Sequence, residues 1–206
     1  MSPREIAEDL NYVRTLAEEG RHAPLLGGSF LMFWGVLNAM AWSIHWGLVN
    51  EYLAADPSWH FGALWGGYGV CAGVGSALLS NRIKDKPGTS SVGNRMERAA
   101  WAGAGIGTGA VVVGAILHMA ISGDRTAPDV IVPAAFALYG GALMVTSIVT
   151  QEKWLGGFAL LSFALSAALG AFLSAHWFYL AGAAGSMATL LVPGIALLRK
   201  EPSTTV

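Results

Sequence analysis

The sequence predicts an all-α, polytopic membrane protein: six transmembrane helices as three consecutive helical hairpins, plus an N-terminal amphipathic cytoplasmic helix. Three observations carry this reading. Charged residues make up 12% of the chain, against about 25% in a soluble domain. The Asp, Glu, Lys and Arg residues are gathered into short islands, leaving charge-free runs at 22–50, 57–81, 99–123, 130–151 and 154–198. Alternate islands hold almost all of the basic residues. A mean hydropathy of +0.52 excludes disorder and a nucleic-acid-binding surface built on basic charge. A net charge of −1 gives no overall field to select a partner, and with Cys71 as the only cysteine no intrachain disulfide forms.

Residues 1–22 read as the cytoplasmic helix. Ser2-Pro3-Arg4-Glu5 supplies an N-cap, a proline at the first helical position and a glutamate at the third. Ile6, Leu10, Val13 and Ala17 follow at helical spacing, and Gly20 is placed to end the helix. Up to Arg21 the segment carries three basic and five acidic residues. Anionic lipid attracts polybasic helices, so this one is a poor surface binder. Its apolar stripe, Ile6, Leu10 and Val13, is expected to dock on the bundle or on a protein partner.

The charge-free runs define the membrane domain, residues 23–198. A helix needs about 20 apolar residues to cross the hydrocarbon core. The first four runs fit one span each: 24–47, 59–80, 99–121 and 130–150. The fifth is 45 residues long and fits two, 154–174 and 177–198, divided near Ala175-His176-Trp177. A charge at a helix centre costs about 2.5–3.5 kcal/mol, whereas a large apolar residue gains only about 0.3–0.6. Every charge lies outside the proposed spans. Runs such as Ala110–Leu117 show none of the dyad alternation of a transmembrane barrel. The first apolar stretch is too long, and preceded by too many polar residues, for a cleaved signal peptide.

Six spans put both termini on one side. That side holds Arg4, Arg14, Arg21, Arg82, Lys84, Lys86, Arg95, Arg98, Lys153, Arg199 and Lys200, and the other holds only Arg125. The positive-inside rule therefore places both termini, including the tail 199–206, in the cytoplasm of a bacterial inner (plasma) membrane. Residues 81–98 read as a solvated inner loop. Tryptophans at both boundaries form the expected interfacial belt.

The hairpin pattern rests on internal similarity. Spans one and five open with Leu26-Gly27-Gly28 and Leu155-Gly156-Gly157, and end at His45-Trp46 and His176-Trp177. Small residues form stripes spaced 4, 3, 4: Gly62, Gly66, Gly69, Gly73; Gly103, Gly107, Ala110, Gly114; Ala164, Ala168, Ala171, Ala175; and Gly182, Ser186, Thr189, Pro193. Such stripes let helices approach closely where lipid removes the hydrophobic drive to associate. They are expected to pack the bundle, and a surplus stripe to seal a homo-oligomer. Pro193 is expected to bend the last span.

Candidate chemistry is sparse. No charge lies within a span, which argues against ion-coupled transport. Asn38, the one amide in a span, is expected to make an interhelical hydrogen bond. His45, His60, His118 and His176 fall at the outer boundary and are candidate ligands for a metal or haem. No Gly-x-Ser-x-Gly, Walker lysine or cysteine pair occurs, so catalysis and a bound cofactor are not expected. The expected role is a non-catalytic accessory, sensor or regulatory component working through protein contacts in the bilayer. The alternatives are a carrier or pore for a small neutral or apolar solute, lined by Trp34, Trp65, Tyr68 and Tyr139, and the outer histidine site.

Overall fold

Among the described residues seven α-helices form, in the order the charge-free runs require. The computed structural model describes residues 24–53, 58–173 and 175–201, together with Asp9 and Tyr12. The helices are α1 (Gly28–Val49), α2 (Ser58–Ile83), α3 (Val92–Ser122), α4 (Ile131–Thr150), α5 (Lys153–Ala171), α6 (Phe178–Ser186) and α7 (Val192–Lys200). A 3-10 turn, Ala127–Val130, leads into α4, and a π turn, Met187–Leu191, joins α6 to α7. The expected helix over 3–19, with Ile6, Leu10 and Val13, lies outside the described residues apart from Asp9 and Tyr12.

Five helical stretches are long and apolar enough to cross a membrane: Trp59–Ile83, Val92–Ser122, Ala127–Thr150, Lys153–Ala171 and Phe178–Lys200. α1, with 22 residues and no charge, is not among them, because Trp34, Asn38, Trp42, His45 and Trp46 lower its hydropathy. Two boundaries differ from the sequence reading. α2 continues to Ile83, and α3 begins at Val92 rather than near 99. The Ser91 hydroxyl caps α3 by accepting the Asn94 amide at 3.3 Å. That shortens the loop expected over 81–98 to residues 84–91. At the other end, Gly123 closes α3 with φ 76°, a conformation that favours glycine.

Packing is centred on four segments. α1 lies along the whole of the last helical segment, α6 through α7, while α4 packs on α5. α2 leans on α1 and α3 on α4, as outer flanks. α5 makes far less contact with α6 than with α4, so the last segment's main partner is α1. Two apolar clusters fill the centre. Trp42, Val132, Phe136, Leu169, Phe178 and Ala183 pack toward one end. Leu31, Leu143, Leu155, Ala159, Leu190 and Leu197 pack toward the end that carries the basic residues.

The closest approach is between α1 and the last segment. A Cβ added at Gly28 would lie 2.6 Å from the Leu198 amide nitrogen, and one at Gly35 2.6 Å from that of Leu191. One at Gly194 would meet Met32 N at 2.6 Å and Gly28 O at 2.9 Å. These contacts are backbone on backbone, and a side chain has no room there. Pro193 sits just after the π turn. Its missing N–H and its ring disturb the preceding turn, and the wider π turn accommodates that disturbance. The hydroxyls of Ser186 and Thr189 donate to the carbonyls of Gly182 and Gly185, at 2.9 and 2.8 Å.

These contacts separate two kinds of glycine. Gly194→Ala should lower stability by about 1–3 kcal/mol, the usual cost of overpacking. Gly66→Ala, where nothing lies within 4 Å of the new Cβ, should be neutral or slightly stabilising through helix propensity. Unfolding of the purified variants in mixed detergent micelles, followed by tryptophan fluorescence, measures both.

Candidate functional site

One face of α1 carries Trp34, Asn38, Trp42 and His45, spaced four, four and three residues apart. Helical geometry places them on a single stripe. α2 brings Trp65 and Tyr68 to this stripe, α4 brings Tyr139, and α6 brings Tyr179. The Tyr68 hydroxyl donates to Asn38 Oδ1 at 2.6 Å, and Asn38 Nδ2 donates to the Tyr139 hydroxyl at 3.2 Å. The amide, 3% exposed, thus joins three helices by hydrogen bonds, as expected of Asn38 from the sequence. Toward the end away from the basic residues, Trp65 Nε1 donates to His45 Nδ1 at 3.1 Å. The acceptor role fixes His45 as the neutral tautomer protonated on Nε2. Trp42 stacks on Tyr179 with centroids 5.7 Å apart and meets Trp65 edge-on at 4.8 Å. The Tyr179 hydroxyl donates to Asp129.

Trp65, Tyr68 and Tyr139 therefore do converge, with Trp34 beside Tyr68 at 6.2 Å. They are spent on one another and on Asn38 as packing and hydrogen-bond partners. The arrangement is a clamp of mutually satisfied groups.

The four histidines are not brought together. His45 is held by Trp65 and packs on Phe61 and Tyr179. The His60 ring lies 3.9 Å from that of Trp59. His118 lines an open recess with Asp124 and Thr126. The backbone carbonyl of His176 accepts Trp46 Nε1 at 2.7 Å. Among the described residues, no three His, Cys, Asp or Glu side chains form a group able to hold a metal ion. In that recess the hydroxyl and amide of Thr126 hold the Asp124 carboxyl below its usual range.

The stripes predicted to pack the bundle also sort differently. A Cβ added at Gly62, Gly66, Gly69, Gly73, Gly103 or Gly114 would meet nothing within 4 Å, and one at Gly107 would meet only the Leu138 side chain, at 3.1 Å. Apart from Gly107, these glycines make no close helix contact with any described residue. Of the four stripes, the one that is buried is Gly182, Ser186, Thr189 and Pro193.

The basic end holds a polar cluster that the sequence reading left in a loop. Buried Asn94 accepts the Leu26 amide at 2.9 Å through Oδ1. Its Nδ2 donates to Pro24 O and Gly88 O, at 2.9 and 3.0 Å. One turn on, the buried Glu97 carboxyl presses on Gly27, where a Cβ would lie 2.2 Å from Oε1. Lys86 Nζ donates to Glu201 Oε2 at 2.6 Å. Beside them, Lys200 pairs with Glu152 at 3.0 Å. Burial works to raise the Glu152 pKa, but hydrogen bonds from Lys200 and Trp154 prevail and hold it below the ordinary carboxylate value. The available signal was the polar stripe Asn94, Glu97, Trp101, spaced three and four, which is helical and not loop-like.

No family model, no curated protein and no solved structure matches the chain. The described residues define an all-helical protein with five helices long and apolar enough to span a bilayer.

Asn38→Ala should leave two half-buried tyrosine hydroxyls without their partner and cost about 1–3 kcal/mol. Tyr139→Phe should cost about 0.6–1.7 kcal/mol, the range of single hydrogen bonds between membrane helices. Detergent unfolding reads both, and a shift in tryptophan emission on Asn38→Ala reports loosening around Trp34 and Trp65.

Proposed function

We propose that the protein is a six-span inner-membrane component, with both termini in the cytoplasm, that acts without catalysis as an accessory, sensor or regulatory subunit through protein contacts. A single observation carries this: α2 is a membrane-length helix resting mainly on α1, with its small-residue face open. Only 6% of its apolar stretch is buried inside the chain, and no described residue lies within 4 Å of a Cβ placed at Gly62, Gly66, Gly69 or Gly73. A glycine face of this spacing fits the close approach of another helix better than it fits lipid, which gains nothing from the missing side chains. α1 is counted as the sixth span. It is uncharged, long enough, and packed between α2 and the last helical segment, both of membrane length. The orientation follows from the distribution of the basic residues. Three hairpins remain the simplest threading of six spans joined by short connections, although the principal packing pairs the first span with the last.

Neither the solute carrier nor the metal centre gains a supporting observation, since the aromatic residues are engaged with one another and, among the described residues, no three metal-ligating side chains gather.

Gly66→Leu and Gly69→Leu test the reading. Both should leave the chain folded with wild-type detergent stability, because no described residue opposes them. Both should reduce the mass of the assembly extracted from native membranes by a mild detergent. An assembly mass unchanged in both variants, or equal to one chain in the wild type, would overturn the proposal.

A further inference from the structure

Two carboxylates at the basic end are buried with too little positive charge. Glu97 is 3% exposed and the Glu201 side chain 3% exposed. Each keeps one oxygen, Oε1, with no hydrogen-bond partner. The charge of Glu201 acts on Glu97 as a like charge. Lys86 compensates one of them through Glu201 Oε2, at 2.6 Å. On α3 itself, Arg98 acts on Glu97 only through space, because its guanidinium is exposed and donates to Thr89 O at 3.0 Å. From α1, the Gly27 amide faces Glu97. The other described charges of this end look elsewhere: Lys200 pairs with Glu152, and Arg82, Lys84, Asp85, Arg95, Lys153 and Arg199 are exposed.

We propose that Glu97 and Glu201 form a binding site for a single proton, held on the buried pair and released as the pH rises. Two carboxylates that share a site do not both ionise readily, and burial disfavours the second charge further. A proton is the ligand that fits. Among the described residues the two carboxylates have no third His, Cys, Asp or Glu beside them with which to form a metal site, and the Glu97 carboxyl lies directly against the backbone at Gly27. Trp101 Nε1, one turn along α3, is a further buried group without a partner, so this end of α3 carries unused polar capacity on both signs of dipole.

The proton has structural consequences because the pair joins separate parts of the chain. Glu97 lies on α3 against the start of α1. Glu201 follows α7 and holds Lys86 of the α2–α3 loop. With the proton bound, the pair carries one negative charge against Lys86. Without it, Glu97 and Glu201 repel across the junction, and the loop and the end of the chain lose their shared anchor. The linkage has a definite sign. The folded state binds a proton that the unfolded chain gives up more readily, so stability is full at low pH and falls as the pH rises through the titration.

Infrared spectra of the intact protein in lipid nanodiscs test this from about pH 5 to about pH 9. The wild type should show a protonated-carboxyl band that disappears with rising pH. Glu97→Gln should abolish it, and Glu201→Gln should move its titration to lower pH. In detergent, the unfolding equilibrium constant of the wild type should rise by up to about tenfold per pH unit through that titration, and Glu97→Gln should remove the rise. Hydrogen exchange of residues 84–91 should quicken with pH in the wild type beyond the intrinsic exchange rate, but not in Glu97→Gln. A wild-type protein with no protonated carboxyl that titrates across this range overturns the proposal without recourse to any variant. So does a band that persists unchanged in Glu97→Gln.

Discussion

The backbone-to-backbone approach of α1 and the last helical segment is the constraint from which the rest of the fold follows. In lipid, helices gain nothing by hiding apolar surface from water, so association rests on close packing and on hydrogen bonds. Gly28, Gly35 and Gly194 remove the side chains that would hold these two segments apart. Once they meet, Trp42 of α1 is set against Tyr179, and Leu31 joins the cluster that holds Leu190 and Leu197. The termini of the membrane domain are thereby brought together at the basic end, which is what lets Glu201 reach Lys86 across the intervening sequence.

The second level of organisation is polar. With few hydrogen-bonding side chains available, the protein places them at junctions. Asn38 links α1, α2 and α4 at mid-height. Asn94 fastens the segment before α1 to the loop before α3. Ser162 and Ser166 of α5 donate to carbonyls of Phe136 and Pro133 on α4, at 2.8 and 2.7 Å. Each such bond fixes register between helices whose apolar surfaces alone would tolerate sliding.

This division explains what the sequence disclosed. Charge exclusion from hydrocarbon is a large one-sided effect, so the positions of the apolar helices were legible from Asp, Glu, Lys and Arg alone. The role of Asn38 was legible for the same reason, as a lone amide in apolar surroundings. The packing faces were not. A soluble helix shows which side is buried because its other side is polar. Here both sides are apolar, so periodicity in small residues located stripes without telling which stripe meets a neighbour. Gly62, Gly66, Gly69 and Gly73 have the more regular spacing, yet Gly28, Gly35 and Gly194, on two different segments, make the contact. The Glu97 site was hidden by the opposite error. Charged residues just before a span read as solvated loop, and only the cap at Ser91 extends the helix far enough to turn Asn94 and Glu97 inward.

The flanking helices have a physical status of their own. α2 and α3 each rest chiefly on one neighbour, and their span windows are buried to only 6% and 11%, against half for α4 and for the last segment. Elements with few internal contacts open at lower free energy than the core. α2 is also the helix whose tyrosine and tryptophan complete the α1 stripe, through Tyr68 to Asn38 and Trp65 to His45. Any neighbour that settled on its open glycine face would restrict its movement and tighten those two hydrogen bonds. At the other end, α2 runs directly into the loop that carries Lys86. A helix held loosely by its own chain is thus bonded to the central amide at mid-height and continuous with the charged junction at its end, so one element joins the α1 stripe to the basic end of the molecule.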